Sequence, residues 1–388
     1  MNQKKRIASI DIFRALTMLF MIWVNDFPTL SDIPKWLKHG PSGEEYIGFS
    51  DFIFPLFLFI VGLSIPFAIQ QRLKKGVEVF SILKHIILRS VSLLIIGVYM
   101  VNYETSHHET LSIGTYWWCI LMATGVALIW MDWKRSPVPK KLHKVFQAIG
   151  VLILIYLAVI YKGGENGLLG MTTQWWGILG LIGWAYMINA SCFVLFKGNF
   201  IAIVVVFILF NVLAVFNYAG YFDNMDGILT YFSTIYGGFI PAFTSAGVVG
   251  GMVLNRLADQ KQSKVILTLI TLGVLNLAYG FLMEPHLWMI YKLGVSIGVG
   301  YISFAVIYFI ADIKSKTSWA KIIAPAGTAT LTCYLFQYFE YPLRIETGIR
   351  FPDFMNTGTI GLFVSFSLAI LIVVFTGWME KKGFKLKL

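Results

Sequence analysis

The stretch "WLKHGPSGEEYIGFSDFIFPLFLFIVGLSI", residues 36–65, sets a polar, glycine-rich segment directly against an apolar run. A helix rises about 1.5 Å per residue and the hydrocarbon core of a bilayer is about 30 Å thick, so an apolar helix that starts near residue 48 and runs to residue 70 is long enough to cross it. The histidine and three carboxylates that precede or open this run, His39, Glu44, Glu45 and Asp51, then lie at a membrane boundary. They are either ordinary loop polarity or the chemical centre of a membrane protein.

The rest of the chain repeats the apolar pattern. Of 388 residues, 57% are hydrophobic and only 13% charged, with a mean hydropathy of +0.72. A soluble domain carries roughly a quarter charged residues, so this composition requires a lipid solvent. Apolar runs recur near 8–26, 48–70, 81–101, 114–132, 144–161, 174–196, 200–218, 233–255, 264–283, 288–311, 321–343 and 357–379. The expectation is an all-α, polytopic bundle of about twelve transmembrane helices, forming one domain over residues 1–388. Backbone polar groups in lipid must be satisfied within each segment, which leaves a helix as the only open form for these runs.

Net charge is +11, and its distribution matters more than its size. Lys and Arg collect in "NQKKR", "RLKKG", "DWKRSPVPKKLHK", "FKGN", "NRLADQKQSK", "DIKSKTSWAK" and "KKGFKLKL", on alternate sides of successive spans. The other loops hold only Lys35, Lys38, Lys162, Arg344 and Arg350, with Lys292 near a helix end. By the positive-inside rule both termini are expected in the cytoplasm, as in a multi-pass protein of the plasma (inner) membrane. Basic charge at that face serves topology and anionic membrane lipids, so nucleic acid is not an expected partner. Cys119, Cys192 and Cys333 all fall inside spans and predict no structural disulfide. The first apolar segment has no small-residue cleavage site and is expected to remain as a span.

The opposite loops gather carboxylates and four of the six histidines, His39, His107, His108 and His286. "YWW" at 116–118 and "QWW" at 174–176 stand at helix starts, where an interfacial aromatic belt is the simpler reading and a sugar-stacking platform the sharper one. Adjacent His107 and His108 point apart on a helix, and no zinc motif or glycine-rich phosphate loop occurs, so no metal is expected. Asp11 and Arg14 are three residues apart on one helix face, a local ion pair or a phosphate-binding arginine with its orienting acid. Glu340 and Arg344, four apart, read as a helix-end pair. Asp51 stands about one turn inside its apolar helix, where a carboxylate needs a partner. His39, on a loop bent by Gly40, Pro41 and Gly43, is able to fold back and supply one. Such a contact would fix one ring nitrogen and leave the other basic.

Taken together, "SIDIFRALTMLFMIWVN", the loop with "WLKHG" and "SDFIFPLFLFIVGLSI" resemble the start of the catalytic domain of the heparan-α-glucosaminide N-acetyltransferase-like transmembrane acyltransferases and their bacterial relatives. The matching positions are Asp11, Arg14, Asn25, His39, Asp51 and Pro55, with further echoes in "DGILT" at 226–230, "EPHLWMIYKLG" at 284–294 and "PAGTATLTCYLFQY" at 325–338. The chain departs from the family in reading "ILMATG" in its fourth span and in carrying two spans, near 174–196 and 200–218, where the family has a long loop.

The resemblance implies acetyl-CoA as co-substrate on the cytoplasmic side and an amino sugar or other carbohydrate acceptor outside. His39 is then the base or transient acyl carrier, Asp51 its orienting carboxylate and Asn25 a donor to the developing oxyanion. Arg14, Asp11, Arg72 and Arg89 are expected around the CoA phosphates, and Trp118, Asp226, Glu284 and His286 around the acceptor. A homodimer is compatible with this reading. A transporter or lipid-linked-sugar flippase, with Asp51, Glu104 and Arg344 along its path, is the alternative from a different class, and a structural membrane scaffold a third.

Overall fold

The apolar runs become helices in the computed structural model, which describes residues 7–41, 44–257, 262–283 and 287–388. The long ones are α1 (Ala8–Asn25), α2 (Ser50–Lys74), α3 (Val79–Glu104), α4 (Thr115–Trp130), α5 (Lys140–Ile160), α6 (Ile178–Leu195), α7 (Phe200–Tyr218), α8 (Phe239–Leu257), α9 (Gln262–Met283), α10 (Trp288–Tyr308), α11 (Thr330–Glu346) and α12 (Gly358–Lys381). Among the described residues there is no strand, only isolated bridges.

Each of the twelve apolar segments overlaps one of these helices, yet among the described residues only ten helices are long and apolar enough to cross a membrane. α4 has 16 residues, and α11, with Gln337, Glu340 and Arg344 along it, has 17. The eleventh segment is interrupted at Ala329, whose non-helical backbone separates the single turn Ala324–Thr328 from α11. Of the remaining spans, α3, α5, α7, α9 and α12 turn large apolar faces outward. Only 17% of the apolar window of α5 and 22% of those of α7 and α9 are buried in the protein, leaving Val159, Ile201 and Leu282 uncovered. Apolar surface on this scale marks contact with lipid, and the chain is a multi-pass membrane protein.

The chain forms two compact units. The first comprises Met1–Thr17, Lys35–Val91 and Leu181–Lys321. Its centre is the packing of α2 on α8, where a Cβ at Gly62 would come within 1.9 Å of the Thr244 carbonyl oxygen and one at Gly247 within 1.9 Å of that of Phe59. Small residues at such crossings let two backbones meet, which is how helices associate in lipid without a hydrophobic drive. Phe59 then packs edge-on against Tyr301, and the Tyr301 hydroxyl donates to the Ala246 carbonyl at 2.6 Å, satisfying a buried polar atom.

The first unit also contains a long-range helix cap. Asp312, in the π-helical turn Phe309–Ile313, accepts from the backbone N–H of Ala8 at 2.8 Å and of Ser9 at 2.9 Å. These are orphan donors of the first turn of α1, and a carboxylate there also meets the positive end of the helix dipole. Asp312→Ala is expected to cost about 1–2 kcal/mol, as loss of a strong N-cap does. A lowered thermal midpoint in detergent, partly restored by Asp312→Asn, is the expected outcome; an unchanged midpoint would refute the cap.

The second unit comprises Met18–Pro34, Ser92–Gly180 and Ile322–Leu388. α4 packs on α5 and α11. Trp118 is fully buried between Tyr99 and Tyr161 and donates its indole N–H to the Leu157 carbonyl at 3.1 Å. The carboxy-terminal tail is tied down by its backbone: the Leu386 N–H donates to Thr332 Oγ1, Lys387 N–H to the Trp130 carbonyl, and the Asp132 N–H to the Lys385 carbonyl. Cys119, Cys192 and Cys333 are all free, in keeping with their place in spans.

Candidate active site

The loop before α2 is closed onto the start of that helix by a set of short bonds within the first unit. The Phe49 N–H donates to the Trp36 carbonyl at 2.7 Å, and the buried Ser50 hydroxyl donates to the Leu37 carbonyl at 2.6 Å. Asp51 completes the clasp, its Oδ2 accepting from the backbone N–H groups of Gly40 and Gly48, both at 2.9 Å. The loop strands pass so closely that a Cβ at Gly48 would lie 1.8 Å from the Lys38 carbonyl oxygen, and one at Gly40 2.2 Å from that of Tyr46. Neither position tolerates a side chain without moving backbone.

With Oδ2 committed to two amides, Oδ1 faces His39 Nδ1 at 3.1 Å. An ionised carboxylate only accepts hydrogen bonds, so this contact assigns the proton to Nδ1. In the neutral ring the lone pair is then on Nε2, the nitrogen turned away from Asp51. The Asp51 side chain is 18% exposed and that of His39 63%, so the carboxylate is sheltered and the imidazole accessible. The arrangement is that of a held base: a carboxylate anchored by backbone fixes tautomer and orientation, and the free nitrogen accepts a proton or an acyl group.

Two lysines belong to the surroundings, one on the same loop as His39 and one on α10. Lys35 forms an exposed ion pair with Glu44 at 2.9 Å and lies over the Tyr46 ring. The hydrogen bond from Lys35 to Glu44 raises the lysine above its ordinary pKa. Lys292 of α10, its ammonium over the Trp288 ring at 5.6 Å, is near enough to Asp51 to interact with it electrostatically. Lys292 was absent from the expected site, since nothing in its local sequence connects it with a loop so far away in the chain.

Other expected residues take varied positions. Arg14 is 3.4 Å from Asp11 and donates to the Ser64 hydroxyl at 2.6 Å, so the anticipated i, i+3 pair exists and is tied to α2. Arg89 stacks over the Tyr186 ring at 4.8 Å, and Arg72 stands half-buried in the last turn of α2. Asp226 is exposed ahead of the short turn Gly227–Phe232 and makes no side-chain cap. Glu284 and His286 lie outside the described residues. Trp118 requires a correction: it is a core residue with its N–H already bonded, and offers no face to a sugar. Adjacent helical residues point about 100° apart, and Trp117 is the one that turns outward.

Asn25 belongs to the second unit, where its amide donates to Gln337 Oε1 at 3.3 Å. The two amides border a cavity of about 420 Å³ whose wall includes Tyr103, Glu104, Cys119, Trp176, Tyr338 and Tyr341. This is within the size range of small-molecule sites, and its mix of aromatic rings, hydroxyls, amides and one carboxylate suits a polar ligand. Of this set, Asn25 is named by the family resemblance, Glu104 by the alternative transport path and Trp176 by the "QWW" cluster; Tyr103 and Tyr341 carry no signal of their own in the sequence. Glu340 and Arg344 form their expected helix-end pair at 3.1 Å.

Comparison with known proteins gives a family match over the amino-terminal part of the chain, which includes the His39 loop. Residues 6–171 match the family model described as heparan-alpha-glucosaminide N-acetyltransferase, catalytic. Relatives of that name include the mouse protein, 34% identical over 102 residues, which is 26% of this chain and 15% of the relative. The human protein is 33% identical over 98 residues, 25% of this chain and 14% of the relative. The chain thus aligns with about one seventh of the length of these relatives, and the resemblance read from the segment around Asp11, His39 and Asp51 holds over its amino-terminal part.

Proposed function

We propose that the chain is a transmembrane acetyltransferase that takes acetyl from acetyl-CoA on the cytoplasmic side and delivers it to an amino sugar or other carbohydrate on the far side. The observation that carries this reading is the His39 Nδ1 to Asp51 Oδ1 bond, with Asp51 anchored by Gly40 and Gly48 and His39 Nε2 facing outward from a largely exposed ring. The acetyltransferase family match over residues 6–171 includes all of these residues.

In the proposed reaction an acceptor nitrogen or oxygen attacks the thioester carbonyl, forming a C–N or C–O bond while the C–S bond breaks. His39 Nε2 removes the acceptor proton, and CoA departs as the thiolate. If the transfer takes two steps, the thioester carbonyl is first attacked by the same Nε2, which carries the acetyl group as an acyl-imidazole while CoA leaves as the thiolate, and the acceptor then displaces the imidazole. The positive-inside bias supports a cytoplasmic donor, because CoA phosphates seek arginines such as Arg14, Arg72 and Arg89.

The test is purified protein with radiolabelled acetyl-CoA and a panel of amino sugars and neutral sugars. Label in an acetylated sugar is the expected result. Sugar uptake into vesicles without acetylation would replace the enzyme by a transporter.

A further inference from the structure

A second concavity in the second unit differs sharply in character from the polar cavity. It has a volume of about 370 Å³ and is lined almost wholly by carbon, chiefly Met131, Leu335, Phe336, Phe339, Phe375 and Trp378. These residues come from the end of α4, the first half of α11 and the last turns of α12, and the tail at Phe384 and Leu386 closes one side. Because the tail is held by backbone bonds to Trp130, Asp132 and Thr332, the groove is a built feature of the fold rather than the gap beside a loose terminus.

Basic residues cluster beside it: Lys385 lines the groove, Arg135 and Lys387 stand near Asp132, and Lys134, Lys381 and Lys382 adjoin these positions in sequence, against the carboxylates Asp132 and Glu380. Those two acids are already engaged: Lys385 Nζ meets Glu380 at 2.7 Å, and Arg135 and Lys387 approach Asp132 at 3.7 and 3.9 Å. Lys381 and Lys382 are exposed and have no carboxylate partner among the described residues. They follow Trp378 by three and four positions, hence stand on the same helix face as a groove-lining ring. An apolar slot at the end of membrane helices, closed by a tryptophan and rimmed by unneutralised lysines, has the two halves of an amphiphile's complement.

We propose that this groove is a binding site for an anionic phospholipid of the surrounding bilayer, one acyl chain lying along Phe336, Phe339 and Trp378 and the phosphate between Lys381 and Lys382. The proposal is independent of the acetyltransferase reading, since none of these residues belongs to the His39 loop. The lysine ammonium groups act as point charges for the phosphate oxygens, while the carbon lining gives the chain its apolar contact. An uncharged lipid with the same chains has only the second contribution.

The test is native mass spectrometry of the full chain in detergent, titrated with phosphatidylglycerol and with phosphatidylcholine of identical acyl composition. Wild-type protein is expected to retain one phosphatidylglycerol with clear preference over phosphatidylcholine. The double variant Lys381→Gln/Lys382→Gln should lower that affinity about thirty-fold, as removal of two basic residues worth about 1 kcal/mol each at an anionic surface predicts. Ala127→Phe, which fills the groove from α4, should reduce retention of both lipids. Equal retention of the two lipids by wild type, or retention unaffected by the lysine pair, would overturn the site. So would a dimer in which lipid-free protein buries this face. The lysine variant changes only exposed side chains, so it keeps the proposal testable if the phenylalanine variant fails to fold.

Discussion

His39→Ala is expected to lower acetyl transfer by about 10²- to 10⁴-fold, the range for loss of a general base. The same variant should melt and bind acetyl-CoA almost as the wild type does. The imidazole is largely exposed and, among the described residues, its side-chain bond is to Asp51, and an accessible pair of this kind contributes at most about 1 kcal/mol. Asp51 keeps its two backbone donors when the ring is gone, so the loop clasp survives. Kinetics at saturating donor, together with calorimetric titration of acetyl-CoA, separate the loss of chemistry from the loss of binding. Protein given acetyl-CoA alone and then quenched tests the route: acetyl on His39 supports two steps. Near-normal turnover by His39→Ala would remove His39 from the reaction and return the loop to ordinary surface polarity.

The part of this site that was legible in the sequence is the part written in side chains. A carboxylate expected about one turn inside an apolar helix needs a partner, and although Asp51 is in the structure only the second residue of α2, a histidine twelve residues earlier on a glycine-rich loop is near enough to be that partner; the family resemblance then singles out the pair. The amides of Gly40 and Gly48 leave no such trace, because every residue except proline offers a backbone N–H and only the folded loop shows which two converge. Lys292 escaped for a related reason, reaching Asp51 through helix packing that no local pattern encodes. Fold legibility has the same limit. Hydropathy finds apolar runs, and each holds a helix, but it does not register the break at Ala329 or how the polar residues of α11 shorten its apolar length. Trp118 is expected beside the acceptor because an aromatic cluster at a helix start suits sugar stacking, but helical periodicity sends only one of the two adjacent tryptophans outward, and that one is Trp117.

The bonding pattern of Asp51 changes what is expected of its conservative replacement. If the carboxylate merely oriented the ring, Asp51→Asn would be mild, since the amide has nearly the same shape. In the structure, however, both carboxylate oxygens face donors: Oδ2 has the two glycine N–H groups and Oδ1 has His39 Nδ1. Asparagine supplies one acceptor oxygen and one donor NH₂. Its oxygen goes where two backbone donors converge, because turning the NH₂ toward them would leave both N–H groups unsatisfied and break the clasp. The NH₂ therefore faces His39 Nδ1, which must now accept, and the ring proton moves to Nε2. A base with its working nitrogen already protonated cannot take a proton from the acceptor or an acetyl from the donor. Replacing the aspartate of a Ser-His-Asp triad by asparagine acts through the same tautomer change and lowers kcat about 10⁴-fold; a fall of about 10²-fold or more is expected here, with acetyl-CoA binding retained. Nitrogen NMR of labelled histidine reads the tautomer directly and distinguishes this account from simple loosening of the loop. Wild-type protein should show the Nδ1–H form for His39 and Asp51→Asn the Nε2–H form. Loss of activity with the Nδ1–H form still in place would refute tautomer control and leave Asp51 a structural clasp alone.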